Sequence, residues 1–252
     1  MSSLGSAGER EAPRSRRERP AKAPLSQEAI VAAAMGLMER DGVEAVTMRR
    51  VAHELDTGPA SLYVYVSNRQ HLLGLVFDEV MSEIVIPAHG TWQERLLGML
   101  QKSVAILTKY RGLALVALGS IPTGLNAMRG QEEVIAFLRA GGLQDATIAW
   151  AVDLLALLVT ATAAEQSLYA VRMAEGETRE EVLARINAEF AALPREQFPL
   201  ISALRPLLMS GTGDDRFAWW IQVVLNGLAA TPAPAVDPSW EIATEVRGDR
   251  AQ

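Results

Sequence analysis

Residues 47 to 68 read Thr-Met-Arg-Arg-Val-Ala-His-Glu-Leu-Asp-Thr-Gly-Pro-Ala-Ser-Leu-Tyr-Val-Tyr-Val-Ser-Asn, a stretch with room for two very short helices around a tight turn. Met48, Val51, Ala52 and Leu55 follow the i, i+3, i+4, i+7 spacing of one helical face, and Thr47 is placed to cap its first turn. Gly58 permits the turn. Pro59 then opens a second helix at a first position, where its missing N–H costs nothing. With Leu62 and Val66 turned inward, Ala60, Ser61, Tyr63 and Tyr65 face out. Neither helix can bury enough surface to stand alone. A short helix that shows small and aromatic polar residues to solvent, braced by another across a turn, has the geometry of a helix-turn-helix reader. The alternative is an ordinary helical hairpin.

Several residues together resemble the DNA-binding domain of the tetracycline-repressor (TetR) family of bacterial regulators. A helix led by Leu25-Ser26, the Asp41-Gly42 stop, Thr47, Val51-Ala52, Leu55, the Leu62-Tyr63 pair, Val66 and the Ser67-Asn68-Arg69 entry to a fourth helix sit where that family has them. The resemblance covers residues 24 to 84. The family usually has glycine directly after the leucine that closes the first short helix; here that position is Asp56, a residue that tolerates turn conformations. The resemblance implies that Ala60, Ser61, Tyr63 and Tyr65 lie against bases and backbone, and that Arg49 approaches from the preceding helix. It also implies that Thr47 and Arg69 hold phosphates and that Pro59, at the tip, is placed to touch a thymine methyl. The family often has histidine where Tyr65 stands.

Charge is unevenly placed, which the net value of −6 conceals. Residues 1 to 72 carry ten Lys and Arg against nine Asp and Glu, whereas the remainder carries fourteen against twenty-one. The acidity therefore belongs to the larger, C-terminal part. Before the first helix, Arg10, Arg14, Arg16, Arg17, Arg19 and Lys22 outnumber Glu9, Glu11 and Glu18 within a stretch of Gly, Ser and Pro that reads as a disordered basic arm over residues 1 to 23. Such arms lie along phosphates or enter a minor groove, and a solubilising tail is the equal alternative. The N-terminus has no apolar signal core, and the chain has no cysteine, which excludes disulfides, thiol catalysis and cysteine-ligated zinc. A reducing cytoplasm is the expected compartment.

The rest of the chain is helical in period. Ser26 is a plausible cap for a first helix carrying Ile30, Ala33, Ala34, Leu37 and Met38, which ends at Asp41-Gly42. A fourth helix starts at Ser67-Asn68-Arg69-Gln70 and carries Leu72, Leu73, Val76, Phe77, Val80, Met81 and Ile84 before Pro87 stops it. Further helices are expected at about 92 to 109, 112 to 119, 124 to 140, 144 to 173, 178 to 192, 196 to 209 and 214 to 230, broken at Pro122, Gly141-Gly142, Gly176 and Gly211-Thr-Gly213. The fold class is all-α. Its parts are a helix-turn-helix domain over 24 to 70 with a linking helix to about 86, a ligand-binding and dimerisation domain over 87 to 231, and a loose tail over 232 to 252.

Residues 148 to 164 are apolar almost all round, the pattern of a helix buried on most faces or crossing a membrane. Asp153 near the middle, Glu165 at the end and the absence of flanking positive residues argue against a membrane. Burial in a subunit interface explains the run better, because Ala149, Ala156, Ala163 and the threonines let backbones approach closely. The tail end from Phe217 to Ala230 resembles the closing helix of one TetR-family ligand-domain subgroup, in which this helix pair meets its symmetry mate as a four-helix bundle.

No nucleophile elbow, phosphate-cradling glycine loop or metal-spaced histidine pair is present, so neither catalysis nor a cofactor or metal is expected. The resemblance implies a ligand-responsive transcription regulator, most often a repressor, binding a palindromic DNA operator as a homodimer and released by a small molecule. The rival is a helical dimeric interaction module or small-molecule-binding protein that never touches DNA. A pocket lined by side chains such as Met99, Phe137 and Trp150 would suit a hydrophobic or amphipathic effector, although each of these residues singly suits core packing as well. Asp153 calls for a structural partner or for an effector with a cationic or hydroxyl group.

Overall fold

The structure is a computed structural model that describes residues 24–119, 122–174 and 176–233. The basic arm, with Arg16 and Arg17, and most of the C-terminal tail lie outside the described residues. Among the described residues all regular structure is helical.

Helix α1 (Gln27–Asp41) is started by Ser26, whose hydroxyl accepts from the Ala29 N–H at 3.2 Å, and it buries Ile30, Ala34, Leu37 and Met38 along one stripe. Gly42 ends it at φ 83°, a left-handed value that suits glycine, and its N–H closes on the Met38 carbonyl at 2.8 Å. A single 3₁₀ turn, Val43–Ala45, leads to α2 (Met48–Glu54) and α3 (Pro59–Leu62). Val51, Ala52, Leu62 and Val66 are fully buried beneath α1, so the two short helices are held by tertiary packing. The turn between them differs from the sequence expectation in one respect. Gly58 sits at an ordinary φ of −83°, and the left-handed position is Asp56 at φ 47°. A glycine permits positive φ without requiring it, and here the family's usual glycine position takes the strain instead.

Helix α4 (Arg69–Met81) is capped by Asn68, whose side chain accepts from the His71 N–H at 2.8 Å. It ends at Met81, short of the expected Ile84. Ser82 closes it with a hydroxyl that donates to the Glu79 carbonyl at 2.6 Å. Glu83 then leaves the helical path to accept from the Tyr110 hydroxyl and the Lys109 ammonium, so Pro87 is not the terminator.

The second domain comprises α5 (Trp92–Lys109), α6 (Leu113–Leu118), α7 (Leu125–Ala140), α8 (Asp145–Ala174), α9 (Arg179–Ala191), α10 (Pro199–Leu208) and α11 (Gly213–Ala230). Reciprocal caps fix three of the starts, Thr91 with Glu94, Thr178 with Glu181 and Thr212 with Asp215. In each, the backbone N–H donated to the carboxylate holds that group below its usual range. Helix α8 is long and apolar enough to cross a membrane by length and composition, yet it packs along α5, α6 and α7 and buries Ile148, Ala151, Leu155, Val159 and Ala163. Part of its surface is exposed: Trp150 (54%), Leu154 and Leu168 lie at near-heptad spacing, and Leu157, also exposed, borders a cavity. Of the small residues expected to let backbones approach, Ala163 is in the core, and Ala149 and Ala156 are exposed and border the same cavity. Helix α11 has the same two-sided character, with Phe217, Ile221 and Leu225 buried and Trp219 (64%) and Val223 exposed.

Candidate nucleic-acid interface and cavity

Pro59 at the first position and Gly58 before it set the start of α3, and the helix stops after a single turn as Tyr65 and Val66 both return their N–H groups to the Leu62 carbonyl, at 2.9 and 3.0 Å. This geometry keeps Leu62 and Val66 inside and leaves Pro59, Ala60, Ser61, Tyr63 (54%) and Tyr65 (36%) on the surface. Val64, at 81% exposure, is the large apolar residue most open to solvent in this segment and was not among the sequence candidates. The signal was available, since Val64 lies two positions from both inward residues, about 200° around a helix from each. The exposed set presents a hydroxyl, two phenols and apolar groups to solvent.

Three of the four arginines among residues 24–81 are engaged within the domain. Arg40 pairs with Glu54 at 2.7 Å, and Arg50 pairs with Asp41. Arg69 is turned inward to the chain: its Nε donates to the Val46 carbonyl at 2.7 Å, a terminal nitrogen donates to the Val43 carbonyl at 2.9 Å, and Glu44 is 3.5 Å away. Its guanidinium therefore braces the 3₁₀ turn against α4, a different task from the phosphate contact implied by the resemblance. Arg49 is exposed on α2. Thr47 caps α2 by accepting from the Arg50 N–H at 3.2 Å, which leaves the hydroxyl hydrogen for a second acceptor. Gln27 steadies the end of α3 by donating to the Tyr65 carbonyl at 3.3 Å.

A cavity of about 1090 Å³ lies in the second domain. Phe77 and Met81 of α4, Met99 of α5, Leu118 of α6, Val134 of α7 and Leu155 of α8 form its apolar walls. Polar groups reach it from Ser103, Asn126, Thr160 and Asp153, and the charged side chains of Arg129, Glu132 and Glu133 stand at its wall. Of the four sequence candidates, Met99 and Asp153 line it. Phe137 is buried beside it under the Arg95 guanidinium, 4.8 Å from the ring centre, and Trp150 is exposed and does not line it. Asp153 is exposed to the cavity rather than sealed in a core. Among the described residues no His, Asp and Glu cluster could hold a metal ion.

Among the described residues, the cavity domain meets the reader at two places. One is α4 itself. The other is the turn between α5 and α6, where the Val43 N–H donates to the Arg111 carbonyl at 3.0 Å and the Arg111 guanidinium donates to the Asp41 carbonyl. Gly112 at φ 85° allows this approach, because a Cβ there would meet Val43 at 2.4 Å. Beside it Lys109 bridges Glu83 at 3.3 Å and Glu39 at 3.8 Å, and its hydrogen bond to the Tyr110 hydroxyl leads the causes that push its pKa up to about 12.

A short exposed reading helix, carried by a linking helix on an all-helical domain with a cavity, defines a one-component DNA-binding regulator. Comparison with known proteins gives the family. Residues 30–76 match the model described as bacterial regulatory proteins, tetR family, and residues 86–231 match the tetracyclin repressor-like C-terminal domain. The chain belongs to the TetR family of bacterial transcriptional regulators. It is 32% identical over 224 residues to the HTH-type transcriptional repressor DrrR1 of Streptomyces coeruleorubidus, covering 83% of this chain and 80% of that protein. It is also similar to ActR of Streptomyces coelicolor, with 37% identity. The apo crystal structure superposes with a TM-score of 0.71, and the complex with actinorhodin with 0.73, covering 82% of this chain and 98% and 97% of those chains.

Proposed function

We propose that this chain represses transcription as a homodimer on a palindromic operator and releases it when a small amphipathic molecule fills the cavity. The observation that carries the reading is the position of α4, which supports the reader at one end and supplies Phe77 and Met81 to the cavity wall at the other. Ser61 and Val64 are placed for base edges and thymine methyls, with Pro59 and Ala60 at the tip of the reading helix, and Tyr63, Tyr65, Thr47 and Arg49 for the backbone. The arginines of the N-terminal arm, Arg16 and Arg17 among them, add phosphate contacts. The exposed stripes of α8 and α11 meet their symmetry mates, which removes Trp150, Leu154 and Trp219 from water.

The cavity is large and mostly apolar, which suits a multi-ring or long-chain effector with a polar end at Asp153. The protein works in the cytoplasm. The reading is tested by selecting bound duplexes from a randomised library and then adding candidate effectors to the complex, actinorhodin first because ActR holds it in a crystal structure. Enrichment of an inverted repeat and its release by a compound that binds the free protein support the proposal; a library that shows no enrichment contradicts it.

A further inference from the structure

Helix α7 starts without a cap of its own. Its N-cap position is Gly124 in extended backbone, and no side chain at that position accepts from the first turn. The first amides of a helix have no partners within it. Here the partner comes from another helix: the Ala127 N–H donates to Asp78 Oδ1 at 2.9 Å. The Asn126 side-chain amide adds bonds to Asp78 Oδ2 at 3.3 Å and to the Asp78 main-chain oxygen at 3.1 Å. Asp78 belongs to α4. A Cβ at Gly124 would stand 2.1 Å from its carboxyl carbon, so glycine is what lets the two helices come this close.

The same residues border the cavity. Asn126 and Ala127 line it from α7, while Phe77 and Met81 line it from α4 on either side of Asp78. A molecule in the cavity thus touches both helices at the place where the Asp78 carboxylate joins them. The reader's other attachment, from Arg111 to Asp41 and Val43, lies on the α5–α6 turn and does not involve α7.

We infer that Asp78 is a positioning residue that couples the cavity to the reader, capping α7 from α4 so that displacement of the first turn of α7 moves α4 about the Arg111 attachment. The inference rests on the effector reading above. Coupling is reciprocal: if the first turn of α7 biases the reader, then operator binding must bias the first turn of α7, with no effector present. The reporter is the Met128 amide, which donates to the Gly124 carbonyl at 2.9 Å and does not touch Asp78.

The experiment measures hydrogen exchange over residues 125–129 in the full chain, with and without the operator duplex selected from the randomised library. In the unmutated protein the duplex is expected to change exchange there by roughly fivefold or more, the lower end of ordinary coupling. In Asp78→Ala that difference should disappear while duplex affinity stays within about threefold of the original, because the substitution leaves the reading face intact. Asp78→Asn is the second variant, for the case in which the alanine protein does not fold. It keeps an acceptor for Ala127 but turns a donor toward the Asn126 amide, so an intermediate response is expected. An α7 turn insensitive to the duplex, or equally sensitive in Asp78→Ala, overturns the inference. Failure to bind any selected duplex would instead overturn the regulator reading, which keeps the two apart.

Discussion

Arg69→Met separates two roles for one side chain. In the structure the guanidinium makes two hydrogen bonds to main-chain carbonyls, to Val46 at 2.7 Å and to Val43 at 2.9 Å. A hydrogen bond to a charged group contributes about 1.5 to 3 kcal/mol when buried. This side chain keeps 39% exposure, so water replaces part of what is lost, and methionine keeps the packing of the stem. The expected loss is then about 2 kcal/mol for the pair, or roughly 4–8 °C in Tm for a chain of this size. Thermal unfolding followed by circular dichroism reads the stability, and operator titrations at several salt concentrations read the phosphate contacts. A bracing role lowers Tm and leaves the salt slope unchanged. A phosphate role leaves Tm unchanged and reduces the magnitude of the log–log slope by about 0.9 per contact, two per dimer. Observing the second pattern would refute the bracing argument.

Asp56 occupies a left-handed position, so Asp56→Gly should fold with unchanged Tm or better, while Asp56→Val should lose about 1–2 kcal/mol in a denaturant titration. Ser61→Ala should relax preference at one base pair per half-site, by about 1–3 kcal/mol at most, whereas Tyr63→Phe should weaken all operator variants evenly; binding to a randomised operator library distinguishes the two profiles. Asp153→Asn should weaken the binding of a cationic amphiphile such as rhodamine 6G by about tenfold, the factor that 1.4 kcal/mol represents, and leave the anionic dye anilinonaphthalene sulfonate bound as well or better in fluorescence titrations. Leu154→Asp with Trp219→Asp puts charge into the exposed stripes of α8 and α11, and sedimentation should show monomers that retain the helical circular dichroism of the parent.

Much of this fold is legible in the sequence because its signals are local. Thr47, Pro59, Thr91 and Thr212 mark helix starts by chemistry that acts within a few residues, and Gly42 marks a stop the same way. The all-round apolar character of residues 148–164 shows that α8 is central but cannot say which side meets the core, the cavity or solvent. That is why Trp150 reads as a pocket residue and proves to be exposed, and why the sequence leaves Asp153 open between a structural partner and an effector contact while the structure lines the cavity with it. Arg69 and Asp78 were opaque for another reason. Their partners lie more than twenty and more than forty positions away, and two of the groups involved are main-chain carbonyls, which no side-chain pattern announces.

The central claim is that two copies of the α3 face read one duplex. Hydroxyl-radical footprinting of the selected operator, with the chain stoichiometry of the complex taken by native mass spectrometry, tests it most directly. Two chains per duplex and two protected half-sites on one face, with centres about 34–36 Å apart or a multiple of that, are the expected result. One chain per duplex, or protection without a second half-site, would contradict it.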